Sequence, residues 1–187
     1  MWQWPWILIL NLSVMNLVLA TEPGIPATSV GPATQEEAKL LWLDGHTAFN
    51  EKRYNDSVNL LSRLIARHPG APGYLESHLT LGRAYLELGH FEKDHKLLRY
   101  YVQASGRTSA GARGRVYLAR ALLARGLAQE AYLSAQEIEK IQLKKNPELL
   151  PEALILKAQA LILLNRDTRA GRAVDSARKI LDDHAKK

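Results

Sequence analysis

Six histidines and a set of arginines are the residues of this chain best equipped for chemistry. A metal site needs three or four nitrogen, oxygen or sulfur donors brought to one point. His90 and His95 with Glu92 and Asp94 come nearest to such a set, but their spacing matches no ligand pattern; His46, His68, His78 and His184 stand apart. There is no cysteine, which removes thiolate ligands, disulfides, thiol nucleophiles and a lipid-bearing cysteine after a leader. No glycine-rich phosphate loop follows a strand, and no serine or carboxylate pair sits in a motif that would make it a nucleophile or an acid–base couple. The chain therefore reads as a non-enzyme with no cofactor and no metal. Asn55-Asp56-Ser57 matches a glycosylation sequon, which matters only in a eukaryotic secretory pathway.

The arginines point to binding. The formal net charge is +6, and no acidic residue lies between Asp94 and Glu130. Lys96, Arg99, Arg107, Arg113, Arg115, Arg120 and Arg125 fall in that window, which predicts a positive band. Such a band suits an acidic protein partner or an anionic lipid head group.

The elements that must position these residues are helices. The chain is 47% hydrophobic but only 7% aromatic, and from Thr34 onward its apolar residues recur with a period of 3.6. Before that lie two other segments. Residues 1–20, "MWQWPWILILNLSVMNLVLA", carry no charged side chain. The apolar run from Ile7 to Ala20 would make a helix of about 21 Å, short of a bilayer core of about 30 Å. It ends in Val18-Leu19-Ala20, a small-residue cleavage pattern, so a secretory signal is expected, although its basic n-region is missing. The alternative is an uncleaved anchor, touching the membrane through residues 2–20 with Trp2, Trp4 and Trp6 at the interface. Either way export is expected, to the periplasm or outside, and nucleic acid is not an expected partner. Residues 21–33 hold three prolines and two glycines and read as a disordered linker. Thr34 and Glu37 then form a capping-box pattern.

Residues 34–187 divide into four helix pairs. Gly45, Gly82, Ala119 and Ala158 recur at spacings of 37, 37 and 39. Breaks near Lys52, Gly89, Gly126 and Asn165 split each unit. The helices predicted are 35–50 with 54–67, 73–88 with 91–104, 109–125 with 128–143, and 151–164 with 167–184, in repeats at 35–71, 72–108, 109–147 and 148–184. A glycine at the position of Gly82 lets two helix backbones approach closely, which offsets its propensity cost of about 1 kcal/mol. A single pair cannot bury its apolar face, so the pairs must stack. Gly106, Gly111 and Gly114 weaken the start of the third pair and suggest a hinge.

Leu81-Gly82, Tyr85, Gly89 and Phe91 resemble the signature of a tetratricopeptide repeat, as do Gly45, Tyr54 and Pro69; the third unit keeps Ala119, Gly126 and Ala131. The resemblance implies an all-α, right-handed solenoid of about four antiparallel pairs. The period exceeds the family's usual 34, which points to longer inter-repeat loops or to another helical-pair repeat of about 40 residues. It also implies a small residue on the second helix opposite the glycine. Ser57, Ala131 and Ala170 fit; Asp94 does not, and must tilt outward, bind a backbone donor or pair with a neighbour such as Arg83.

In this family the first helices line a concave face. The resemblance places Lys39, Trp42, His46 and Phe49 there, then Glu76, Leu79, Arg83 and Leu86. Arg113, Val116, Arg120 and Leu123 follow, then Glu152, Ile155, Gln159 and Ile162. Two apolar rows would flank a polar row of His46, Arg83, Arg120 and Gln159. The implied function is a scaffold or adaptor that binds a peptide or protein partner, an acidic one by charge, with a bacterial cell-envelope assembly as a setting. A holdase-like chaperone for exported chains is the alternative. Trp42 and His46 stand where some members carry a lysine and asparagine clamp for a C-terminal carboxylate, so clamp-type chaperone binding is not expected.

Overall fold

The computed structural model describes residues 32–145 and 147–185; the expected leader and nearly all of the linker lie outside them. The described chain forms eight α-helices: α1 (Pro32–Asn50), α2 (Tyr54–Arg67), α3 (Tyr74–Glu87), α4 (Phe91–Ser105), α5 (Ser109–Ala124), α6 (Ala128–Lys145), α7 (Leu150–Leu163) and α8 (Asp167–Ala185). A short 3-10 turn, Pro147–Leu149, precedes α7, and no described residue is in a strand. None of the described helices is long and apolar enough to cross a membrane. α1 begins at Pro32, inside the stretch expected to be linker. A proline in the first turn loses nothing by lacking an N–H, and Thr34 and Glu37 consequently sit within the helix rather than at its cap.

Each pair is closed by the same device. Lys52, Gly89, Gly126 and Asn165 all have positive φ, between 54° and 75°. The residue after each donates its N–H five residues back: Arg53 to Ala48, His90 to Tyr85, Leu127 to Leu122 and Arg166 to Leu161, at 2.8–2.9 Å. This is the glycine-type helix stop, in which a left-handed residue lets the chain satisfy carbonyls the helix leaves open. Glycine and asparagine enter that conformation at low cost; Lys52 does so without their advantage.

Successive helices pack in chain order, and first helices also touch one another, α1 with α3, α3 with α5 and α5 with α7. The repeated small residue lies at the heart of each pair. A Cβ added to Gly45 would come within 2.5 Å of Leu61, and one on Gly82 within 2.8 Å of Leu98; both leucines are fully buried. Ala119 and Ala158 are buried at the equivalent places. Between pairs the core is continuous: Ala112, Val116, Ile138, Ile141 and Leu156 join α5, α6 and α7 in one cluster.

The extra length is not confined to loops. The six-residue connection 68–73 absorbs it after the first pair, but in the third α6 itself extends to 18 residues. Gly111 and Gly114, expected to loosen the start of the third pair, lie buried inside α5 against close neighbours. A Cβ on Gly111 would lie 2.2 Å from the Gly106 carbonyl oxygen, and one on Gly114 2.5 Å from the Tyr101 ring. That carbonyl is also held by Arg115, at 2.8 Å, so it cannot yield freely. Gly111→Ala should cost about 2 kcal/mol, because the obstacle is backbone. Urea unfolding would measure it, and an unchanged midpoint would contradict this packing.

Candidate functional site

The face shared by α1, α3, α5 and α7 carries a chain of stacked cations and rings. The Arg83 guanidinium lies 4.4 Å from the centre of the Phe49 ring and 4.6 Å from that of Tyr117. One side chain on α3 is thus clasped by aromatics from both neighbouring pairs. Each such contact contributes about 0.5–2 kcal/mol, the more so where water is excluded. Arg120 lies 5.6 Å from the centre of the same Tyr117 ring and bonds Glu152 on α7. The series Phe49, Arg83, Tyr117, Arg120, Glu152 therefore links four first helices. Arg83 itself has no carboxylate within ion-pairing distance among the described residues, and its buried Nε has no hydrogen-bond partner.

At the N-terminal end of this face, the Trp42 ring lies 5.0 Å from that of His46, inclined to it by 52°. Its indole rests on Gly73, where a Cβ would approach to 2.4 Å. A pocket of about 510 Å³ opens beside it, lined by Gln35, Glu36, Lys39, Trp42, Pro72 and Gly73. Lys39 is exposed and 3.8 Å from Glu36. His46 approaches the Thr80 hydroxyl at 3.4 Å. Burial first, and the Arg83 charge second, hold its pKa below the usual imidazole value, against a smaller upward pull from Glu76.

His46, Arg83, Arg120 and Gln159 lie on α1, α3, α5 and α7 in turn, but the apolar residues expected on either side of them do not form continuous exposed rows. Val116 is only 3% exposed and belongs to the core between α5, α6 and α7. Leu79, Leu86 and Leu123 are half-buried against the core around Leu98 and Leu122. These four turn inward because an amphipathic helix in a stack must seal two neighbours, not one. Phe49 and Trp42 remain on the face, as do exposed Ile155, Gln159 and Ile162 at its far end, and exposed Arg113. Tyr117, absent from the expected set, is central. Its position four after Arg113 and three before Arg120 puts it on their stripe, and that spacing is the signal that could have found it.

Four of the seven cations of the expected positive band are paired with carboxylates. Arg99 pairs with Glu130 at 3.5 Å, Arg107 with Glu137 at 3.4 Å, Arg125 with Glu92 at 2.8 Å, and Arg120 with Glu152. Three of these acids come from α6 and α7, outside the acid-free window, so a local count could not see them. Asp94 also departs from expectation. It is 0% exposed, neither carboxylate oxygen has a hydrogen-bond partner of good geometry, and Arg83 is engaged elsewhere. It neither tilts outward nor pairs with Arg83. Burial raises its pKa to about 6, opposed by the His95 backbone N–H and the Arg125 charge, with Glu92 adding a smaller upward push.

The stacked pairs, their shared turn and the small residue between helices define a tetratricopeptide-like helical-repeat fold. No family model matches the sequence, and no curated protein matches it either. Among solved structures the chain is similar to MamA from Desulfovibrio magneticus RS-1, with a TM-score of 0.69 at 11% identity over 81% of this chain and 80% of that one. It is also similar to MamA of AMB-1, with a TM-score of 0.64 at 16% identity over 80% of each chain. The TPR-like repeats of a Podosopora anserina putative kinesin light chain give a TM-score of 0.65 at 21% identity, over 85% of this chain and 80% of that one.

Proposed function

We propose that the protein is an exported interaction scaffold whose first-helix face binds an extended peptide segment of a partner, with an acidic side chain of that segment seated on Arg83. The observation that carries this reading is the clasped Arg83. Phe49 and Tyr117 fix the guanidinium plane, and no carboxylate among the described residues neutralises it. An arginine held in this way loses little further freedom when it bonds a carboxylate through its N–H edge. Of the three arginines on the face, Arg120 is already bonded to Glu152 and Arg113 is exposed without the paired rings that hold Arg83, so Arg83 is the stronger anchor. The pocket beside Trp42 would take an apolar side chain of the same segment, as extended-peptide grooves do. Export rests on the apolar leader at residues 1–20. An unselective holdase would need an unbroken apolar surface, and Val116, Leu79 and Leu86 do not supply one.

Peptide-display selection against the full chain tests the reading. Wild-type protein should enrich sequences with an acidic residue near an apolar one. Arg83→Gln should weaken the selected peptides about 10- to 100-fold, the worth of a charged hydrogen bond of about 1.5–3 kcal/mol. Helical circular dichroism should be unchanged. Equal binding by wild type and Arg83→Gln would reject Arg83 as the anchor.

A further inference from the structure

α7 has a second face that lines a pocket. Leu154, Lys157 and Leu161 lie about 130° around the helix from Ile155, Gln159 and Ile162, so they point away from the groove. They floor a pocket of about 350 Å³ between α6 and α8, with Tyr132 on one wall and Arg169 and Arg172 on the other. The Lys157 ammonium sits 6.0 Å over the Tyr132 ring and 2.7 Å from Glu139. Arg169 and Arg172 have no ion-pair partner among the described residues. Three cations against the single Glu139 carboxylate leave a surplus of two positive charges around a partly apolar floor.

We propose that this pocket binds a small phosphate monoester carried on an apolar or aromatic body. The surplus matches a phosphate monoester, which carries about −1.5 to −2 charges at pH 7. The two arginines offer planar donor forks suited to phosphate oxygens. The half-buried Tyr132 ring offers the surface for the body, with the buried Leu154 and Leu161 closing the floor behind it. The volume is near the small end of the range of about 300–1,000 Å³ for small-molecule sites, too small for a folded partner. The site is independent of the groove and of its peptide.

Calorimetric titration of the full chain with phenyl phosphate, benzenesulfonate and inorganic phosphate tests the assignment. Phenyl phosphate should bind at least about tenfold more tightly than the other two, a difference of about 1.4 kcal/mol, since only it joins a ring to a phosphate head. Arg169→Gln with Arg172→Gln should lose at least about tenfold of that binding. Both residues are exposed, so the helical fold should persist. Arg63→Gln, exposed on α2 and outside both the pocket and the first-helix face, should bind as wild type does. Equal affinity for all three probes, or the same loss in Arg63→Gln as in the double variant, would overturn the proposal.

Discussion

At pH 7.5 the Asp94→Ala protein should resist urea better than wild type by about 2 kcal/mol, and the advantage should shrink toward pH 4.5. Asp94 is fully enclosed on α4, and neither of its oxygens meets a hydrogen-bond donor of good geometry. A carboxylate in that position loses its hydration without replacement. The folded protein responds by holding the proton: the pKa rises from 3.8 to about 6, chiefly through burial. The sign follows from linkage. Between pH 4 and 6 the folded state binds more proton than the unfolded state, so stability falls as pH climbs through that window and is flat above it. The shift corresponds to about 3 kcal/mol at most. Alanine is tolerated at this place, since Ala131 and Ala170 occupy it in the third and fourth pairs, both buried.

Three histidines pull the other way. Burial is the main cause that lowers the pKa of His46, His78 and His95. Each therefore favours the neutral ring in the folded state, and each contribution is lost as pH falls through 6.5. The wild-type curve mixes the two effects, and the difference between wild type and Asp94→Ala isolates the carboxylate. Parallel curves for the two proteins, with the variant less stable at both ends, would mean that the charge is accommodated after all.

What could be read from the sequence divides along the range of the interactions involved. The breaks at Lys52, Gly89, Gly126 and Asn165 are local, and each is a left-handed turn where expected. The close approach at Gly82 follows from one missing side chain and its repeat. The neutralisation of Arg99, Arg107 and Arg120 does not, because Glu130, Glu137 and Glu152 reach them only once the pairs have stacked. The same holds for Val116. A 3, 4, 3 spacing identifies a stripe on α5, but α6 and α7 together decide which edge of that stripe faces water. Tyr117 is one residue from Val116, and that rotation of about 100° separates a core valine from a ring that clasps Arg83.

Gly82→Ala and Leu98→Ala should each destabilise the protein, yet together cost less than their sum. The methyl that Gly82→Ala adds would lie 2.8 Å from both Cγ and Cδ2 of Leu98, a fully buried side chain with no room to withdraw. Overpacking of this kind costs about 1–3 kcal/mol. Leu98→Ala alone opens a cavity against Val102, Leu118 and Leu122 at a cost of about 2–5 kcal/mol. In the double variant the new methyl enters space the leucine has vacated, so both the clash and the cavity shrink. A coupling of about 1–2 kcal/mol in a double-mutant cycle is expected, well above the roughly 0.5 kcal/mol or less found for independent sites. Additive losses would mean that the two helices do not meet at Gly82. The regular small residue would then not be what sets the distance between α3 and α4, and the stacking that brings Phe49, Arg83 and Tyr117 together would need another cause.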